Sequence, residues 1–317
     1  MTPDSTGDAV LDLQHRLGVA GFAPVGHRPG VYCDATAEAV RAFQDAHGLA
    51  ADGVCDSHTW AALVEANWEL GDRLLFHRVP FLRGDDVADL QRRLGRLGFD
   101  AGRVDGIFGP LTAHALKDFQ RNVGLPDDGI CGYESLQALA RVAARTTDGP
   151  GVAAVREAAA LRSATRTLED KRVVVGHSGD LGTLARAVSR RLRSAGATVV
   201  TVEEPDGSAQ AAAANRFGAD LYVGLVPAER VRIAYYSVPG FESLGGRQLA
   251  ELLQIGLTAV LRSCHEPPVG MRLPVLRETR MPAVVCELGP LRAVLDASPD
   301  VAGTIAHAVG RWAVAPR

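Results

Sequence analysis

Lysine is almost absent from this 317-residue sequence, since all but Lys117 and Lys171 of its 34 basic residues are arginine. Long apolar runs are absent as well, because no window approaches the roughly 18 apolar residues that a membrane helix needs. Cysteine is scarce and never forms a C-x-x-C pair. These absences argue against a membrane-spanning chain, a disulfide framework and a cysteine metal site, and the arginine bias indicates a GC-rich genome. The five cysteines are Cys33, Cys55, Cys131, Cys264 and Cys286.

The overall composition is that of a globular protein. It is 47% hydrophobic and 22% charged, with a mean hydropathy of +0.04, which excludes a wholly disordered chain. The net charge of −3 gives no general attraction to nucleic acid. The first eight residues are polar and acidic and lack the basic and apolar regions of a secretory signal. We therefore expect a cytoplasmic protein that neither binds nucleic acid nor inserts into a membrane.

An internal repeat organises the N-terminal half. Residues 7–22 match residues 84–99, and the tetrapeptide at 52–55, D-G-V-C, matches D-G-I-C at 128–131. In the first copy Val10 and later apolar residues recur at spacings of three and four, which indicates one face of a helix. Each copy is interpreted as three short helices. A unit of about 60 residues is close to the smallest core that folds alone.

The second copy carries the most specific motif of the chain, V-D-G-I-F-G-P-L-T at 104–112. This motif resembles the peptidoglycan-binding domain type 1 family, strongly over 84–141 and more loosely over 7–66, where residues 31–34 depart from the pattern. The resemblance implies binding of peptidoglycan fragments or precursors. An open alternative is that the glycines and aspartates only make turns. The substrate contacts implied by the motif are Asp105, Gly106 and Phe108.

The sequence pattern changes after a cluster of helix breakers at 146–151. From residue 171 onward, apolar strand-length runs alternate with amphipathic helices, which predicts an α/β domain with a mainly parallel sheet. The predicted fold class is therefore multidomain, with two small all-α three-helix domains and one α/β domain. The predicted boundaries are 5–70 and 80–143 for the repeats, 144–170 for a linker and 171–317 for the α/β domain.

The α/β domain resembles the zinc-dependent N-acetylmuramoyl-L-alanine amidase type 3 family. The similarity is carried by L-P-V-L-R at 273–277, the M-P-A-V run that ends at 284, and E-L-G at 287–289. The resemblance implies hydrolysis of the amide bond between the sugar and the stem peptide of peptidoglycan. It also implies that Arg277 contacts substrate and that Glu287 is the catalytic glutamate, either as a general base or as its vestige.

The zinc ligands of that family are largely missing. Zinc catalysis needs about three protein ligands and an open position for water. The resemblance leaves His177 as the remaining metal ligand, because no glutamate follows it before Glu203 and Val226 stands where the family has its second histidine. The neighbours at 264–266, C-H-E, are interpreted as a surface turn. We therefore predict that no cofactor is bound and that hydrolysis has been lost.

Three hypotheses remain open at this stage. The leading one is a non-catalytic regulator of peptidoglycan synthesis that binds peptidoglycan fragments, precursors or cell-wall biosynthesis proteins. The second is an active zinc amidase with relocated ligands, in which zinc would be the cofactor. The third is a docking protein whose repeats bind no glycan.

Overall fold

The computed structural model describes residues 1–143, 151–262 and 266–314. The chain forms two compact units, Met1–Val155 and Arg156–Arg317. Most of the breaker cluster, together with Cys264 and His265, lies outside the described residues.

The first unit contains two three-helix modules, as the repeat predicts. In the first module, Val10, Leu13 and Leu17 form the buried face of the first helix, and all three are at most 1% exposed. Asp56 is the N-cap of its third helix. The Asp56 carboxylate accepts a hydrogen bond from the Thr59 backbone N–H, a donor that has no partner within the first helical turn. The helices are α1 (Asp8–Val19), α2 (Asp34–Ala46) and α3 (Ser57–Ala66).

The second module repeats this arrangement around its own core. Phe108 and Phe119 lie at the centre of that core with the leucines of the first helix. Pro110 occupies the first turn of the second helix, where a missing N–H costs nothing. The helices are α4 (Asp85–Arg96), α5 (Pro110–Asn122) and α6 (Tyr133–Ala143).

The second unit is an α/β sheet domain. Its central strands are parallel, since β1 pairs with β2 and β3, and β3 pairs with β7. Strand β4 runs antiparallel to β7 and β5 and parallel to β6. The strands are β1 (Arg172–His177), β2 (Thr198–Glu203), β3 (Leu221–Pro227), β4 (Arg232–Val238), β5 (Phe241–Glu242), β6 (Val269–Met271) and β7 (Ala283–Leu288).

Helices cover both faces of this sheet. The larger apolar core lies between one face and the helices α8, α10 and α13, whereas α9 and α11 belong to the other face. The helix α7 (Val152–Ser163) spans the boundary between the two units in the sequence. The other helices of the second unit are α8 (Gly182–Ser194), α9 (Gly207–Phe217), α10 (Leu244–Leu261), α11 (Pro274–Glu278), α12 (Leu291–Asp296) and α13 (Ser298–Val314). Within the described ranges no helix combines the length and apolar character that a membrane crossing requires.

The predicted fold class is confirmed: two small helical domains accompany an α/β domain whose sheet is mainly parallel. The short elements β5, β6, α11 and α12 and the antiparallel course of β4 do not follow from the sequence pattern. Strands β5 and β6 have only two and three residues, α11 and α12 are shorter than two helical turns, and strand direction depends on partners that are distant in sequence.

Candidate functional sites

The signature loop of the second module is held by one buried glutamine. Gln91 lies on α4, and its Oε1 accepts a hydrogen bond from the Gly106 N–H at 2.8 Å. Its Nε2 donates to Asp105 Oδ1 at 2.8 Å and to Thr112 Oγ1 at 3.0 Å. The Asp105 carboxylate also accepts from the Ile107 N–H at 2.8 Å. We name this set of Gln, Asp-Gly and Thr or Ser a glutamine corner.

The same corner occurs four times in the first unit, twice in each module. In every corner the glutamine Oε1 accepts from a glycine N–H at 2.8 or 2.9 Å. The first corner differs because Pro29 replaces the aspartate, and there Gln14 Nε2 donates to the Arg28 carbonyl instead. Besides the Gln91 corner, the first unit contains the corners of Gln14 with Gly30 and Thr36, Gln44 with Gly53 and Thr59, and Gln120 with Gly129 and Ser135.

The glutamine corners show how most residues of the V-D-G-I-F-G-P-L-T motif are used in the structure. Asp105 and Gly106 meet inside the corner, and Phe108 is 0% exposed in the core of the second module. Their interactions in this structure are therefore internal ones that shape the loop. Any ligand contact in this region must use the exposed surface around these residues.

In the second unit, His177 lies at the carboxyl end of β1 and is 2% exposed. Its ring packs close to Gly182 at the start of α8. Its Nε2 lies 4.0 Å from Oε2 of the exposed Glu203, and its buried Nδ1 has no hydrogen-bond partner among the residues that the structure describes. His177 therefore belongs to the face of the sheet that α8 covers.

Glu287 lies on the other face of the sheet. In the strand register His177 pairs with Leu225, whereas Glu287 pairs with the next residue of β3, Val226. Because successive side chains of a strand point to opposite faces, the side chains of His177 and Glu287 diverge. The structure thus does not bring the two predicted zinc-site residues together.

The carboxylate of Glu287 is held by an arginine. Arg232, the first residue of β4, donates from Nε to Oε2 at 2.7 Å and from Nη2 to Oε1 at 2.9 Å. The two side chains are 20% and 15% exposed. The hydrogen bonds to Glu287 raise the pKa of the Arg232 guanidinium, so Arg232 keeps its positive charge.

The sequence analysis did not assign Arg232 a role in the site. Its only local signal is a charge that opens an otherwise apolar strand, Arg232–Val238. The partner Glu287 lies 55 residues further along the chain and becomes visible only through the antiparallel register of β4 and β7.

Arg277 lies on α11 and is 8% exposed. Next to it, Glu278 is tied to α9: its carboxylate accepts from the Ser208 hydroxyl at 3.2 Å, and its carbonyl accepts from Asn215 Nδ2 at 2.8 Å. Asn215 Oδ1 in turn accepts from the Arg280 N–H at 2.9 Å. Asn215 therefore fixes the turn after α11.

The zinc site of the amidase family does not fit these residues. The family's second histidine position is taken by Val226, which has no donor atom, and lies directly beside Glu287 in register. His177 points to the opposite face, and both oxygens of Glu287 are engaged by Arg232. In residues 1–143, 151–262 and 266–314, no group of three or more His, Cys, Asp and Glu side chains is placed to hold a metal ion.

Comparison with known proteins identifies relatives for both units. Residues 6–63 and 83–139 match the family described as "Putative peptidoglycan binding domain". The chain is 37% identical over 287 residues to N-acetylmuramoyl-L-alanine amidase CwlM of Mycobacterium tuberculosis, covering 80% of this chain and 70% of that protein. It is 33% identical over 156 residues to N-acetylmuramoyl-L-alanine amidase CwlL of Bacillus licheniformis, covering 43% of each.

Among solved structures, the N-acetylmuramoyl-L-alanine amidase from Clostridium difficile 630 aligns at 17% identity with a TM-score of 0.37, covering 44% of this chain and 95% of that one. The long match to CwlM, together with the two domain matches, is what decides the family. The chain belongs to the family of CwlM-like N-acetylmuramoyl-L-alanine amidase homologues with N-terminal peptidoglycan-binding domains.

Proposed function

We propose that this protein binds peptidoglycan or its precursors and regulates peptidoglycan synthesis without hydrolysing the amide bond. Binding is supported by the two modules that match the peptidoglycan-binding family. The main support for the loss of hydrolysis is the Arg232–Glu287 ion pair, in which the guanidinium binds the carboxylate at the position of the family's catalytic glutamate.

The physical reason is the requirement of the reaction. Amide hydrolysis by zinc needs a metal-bound water and a carboxylate that can take its proton. Here Glu287 is paired with a guanidinium, His177 faces away from it, and Val226 offers no ligand atom. The unit can therefore serve as a recognition scaffold, with partners among peptidoglycan fragments, precursors or cell-wall biosynthesis proteins.

A cytoplasmic role agrees with the state of the cysteines. Among the described residues, Cys33, Cys55, Cys131 and Cys286 are free thiols, and proteins of reducing compartments typically keep their cysteines in this form. A fractionation experiment on cells that express the natural protein tests this assignment. Its recovery with the wall fraction would contradict it.

The test of the proposed function combines metal content with activity. The chain is purified with zinc present, its zinc is measured by mass spectrometry, and it is incubated with a disaccharide-pentapeptide. We expect substoichiometric zinc, no released stem peptide, and saturable binding of the muropeptide. Stoichiometric zinc together with released peptide would instead establish the alternative, an active amidase, which the names of the relatives favour.

A further inference from the structure

A loop at 76–81 joins the two glutamine corners of the second module. At one end, Leu75 forms an antiparallel bridge with Cys131, and the Cys131 N–H donates to the Leu75 carbonyl at 2.8 Å. At the other end, Arg83 bridges Ile107, and the Phe108 N–H donates to the Leu82 carbonyl at 2.9 Å. The loop therefore lies against both Asp-Gly turns of the module.

This loop and its base expose apolar side chains. The His77 and Phe81 rings lie 5.4 Å apart, and Leu74 lies beside Gly132, which follows the bridged Cys131. Exposed apolar side chains grouped in this way mark interaction sites more often than scattered ones. The apolar patch consists of Leu74 (58% exposed), Phe76 (37%), Val79 (85%), Phe81 (40%), Ile130 (40%) and Tyr133 (74%).

The first module has no such patch at the equivalent place. There, Met1 bonds to Cys55 and Thr6 bridges Val31, so the connection between the two corners is residues 2–5, T-P-D-S. In the second module the same connection is residues 76–82, F-H-R-V-P-F-L. The two modules share their fold but differ in the length and chemistry of this loop.

The charged side chains of the loop and its two ends are basic. Residues 73–83 contain three arginines and one histidine and no acidic residue, whereas residues 1–6 contain Asp4 and no basic side chain. Arg73 is committed to the structure, because its Nε donates to the buried Asp86 at 2.7 Å. Arg78 is exposed in the middle of the loop. The surface therefore suits a ligand that is apolar on one side and carries a negative charge.

We propose that the apolar patch together with Arg78 is the peptidoglycan-binding site of the second module. The apolar C–H faces of the sugar rings would pack on the Phe76 and Phe81 rings, and a stem-peptide carboxylate would pair with Arg78. This inference rests on the proposed function, because it assigns a surface to the binding that the family match supports.

A membrane surface is also anionic and apolar, but the structure favours the muropeptide. Protein segments that bind anionic membrane surfaces typically carry clusters of about four to eight Lys or Arg. The loop between the bridges offers one arginine, and the chain carries a net charge of −3. Phe76 and Phe81 are also more than half covered, so less than half of each residue is open to enter a membrane.

The experiment measures binding of disaccharide-pentapeptide to the full chain by calorimetry. The variants are the double change Phe76→Ser with Phe81→Ser, and the charge reversal Arg78→Glu, which leaves the partly covered rings in place. Val25→Ser in the first module is the matched control, since Val25 is 90% exposed and lies outside the patch. Circular dichroism verifies that each variant is folded. Flotation with phosphatidylglycerol–phosphatidylcholine vesicles is measured in parallel.

We expect each loop variant to weaken muropeptide binding by about tenfold or more, and the control to bind as the parent chain does. Salt should weaken binding of the parent chain more than that of Arg78→Glu. If the parent chain binds and the folded loop variants bind equally well, the site assignment is wrong while the proposed function stands. If the parent chain shows no binding, both fail. Vesicle binding that the loop variants alone lose, with muropeptide binding intact, would assign the patch to membranes and overturn the inference.

Discussion

Arg232 and Glu287 face each other across the antiparallel strands β4 and β7, and two hydrogen bonds of 2.7 and 2.9 Å join their side chains. Paired guanidinium and carboxylate groups of this geometry form strong, directional contacts. The carboxylate at the family's catalytic position is thereby hydrogen-bonded within the protein. In this sheet Glu287 contributes to the contact between β4 and β7.

The first prediction concerns the stability of this contact. Arg232→Met leaves the mostly buried Glu287 carboxyl group without its partner, so the free energy of unfolding of the second unit should fall by about 2 kcal/mol. The measurement is urea unfolding followed by Trp312 fluorescence in a Trp60→Phe, Trp68→Phe background, since Trp312 is then the remaining tryptophan.

The matched control is the exposed pair Arg230–Glu266, whose side chains are 63% and 58% exposed. Arg230→Met should change the unfolding free energy by less than about 0.5 kcal/mol, because water screens an exposed pair. Equal losses in the Arg230 and Arg232 variants would show that burial gives the Arg232–Glu287 pair no special weight.

The second prediction concerns the glutamine corners. Gln91→Leu removes the acceptor of the buried Gly106 N–H and the donor to Asp105 and Thr112, so the second module should lose about 2–3 kcal/mol of stability. Asp105→Asn keeps an oxygen that can accept the same hydrogen bonds and should lose much less than Asp105→Ala. Thermal unfolding of the three variants ranks them, and equal midpoints for Asp105→Asn and Asp105→Ala would contradict the assigned role of that oxygen.

The third prediction concerns Cys33 in the first module. Hydrogen bonds from the Arg28 and Thr36 backbone and from the Thr36 hydroxyl lower the pKa of this thiol from 9.0 to about 7. Burial raises the pKa of Cys55 to about 11 and that of Cys131 to about 12. In a Cys264→Ser background, iodoacetamide should therefore modify Cys33 first, with a rate that rises through pH 7 as the thiolate forms.

Two variants control this experiment. Cys33→Ser should abolish the fast modification, and Thr36→Val should move its midpoint to higher pH. The same pKa shift also affects stability. Because the Cys33 thiol has a lower pKa in the folded than in the unfolded state, the folded state gains stability as the pH rises from about 7 to about 9. This gain in stability is lost as the pH falls through the folded pKa. A Cys33 rate that matches the other cysteines at every pH would refute the assignment.

The repeats and the regular elements were predictable because their signals are local. Val10, Leu13 and Leu17 specify a helix face through their spacing alone, and the alternation of apolar strands and helices after residue 171 specifies the α/β class. The Asp-Gly pairs were also visible as turns. In the structure each Asp-Gly pair is bound by a glutamine 8 to 14 residues before its aspartate, as in Gln91 with Asp105 and Gln44 with Asp52. This partnership becomes visible only in the folded chain.

The site was less accessible from sequence than the fold. The sequence shows that Val226 replaces a ligand, but it does not show that His177 and Glu287 lie on opposite sheet faces, since this depends on a register between distant strands. Arg232 was missed for the same reason. The apolar patch was missed because residues 76–81 lack any periodicity, so nothing local separates a buried apolar loop from an exposed one.

The last prediction concerns the glycine of the E-L-G motif, which is required by close packing of backbones. A Cβ at Gly289 would overlap the Ala228 carbonyl just past β3, where the Ala228 N–H also donates to the Leu288 carbonyl at 3.0 Å. Because backbone rather than a flexible side chain fills that space, Gly289→Ala should lower the unfolding free energy by about 3 kcal/mol.

Gly310→Ala is the control, since Gly310 lies on α13 with nothing within 4 Å of the added methyl group. That variant should gain about 0.5–1 kcal/mol through helix propensity. Trp312 fluorescence during urea unfolding reports both variants, and a Gly289→Ala protein as stable as its parent would show that the ends of β3 and β7 can separate at no cost.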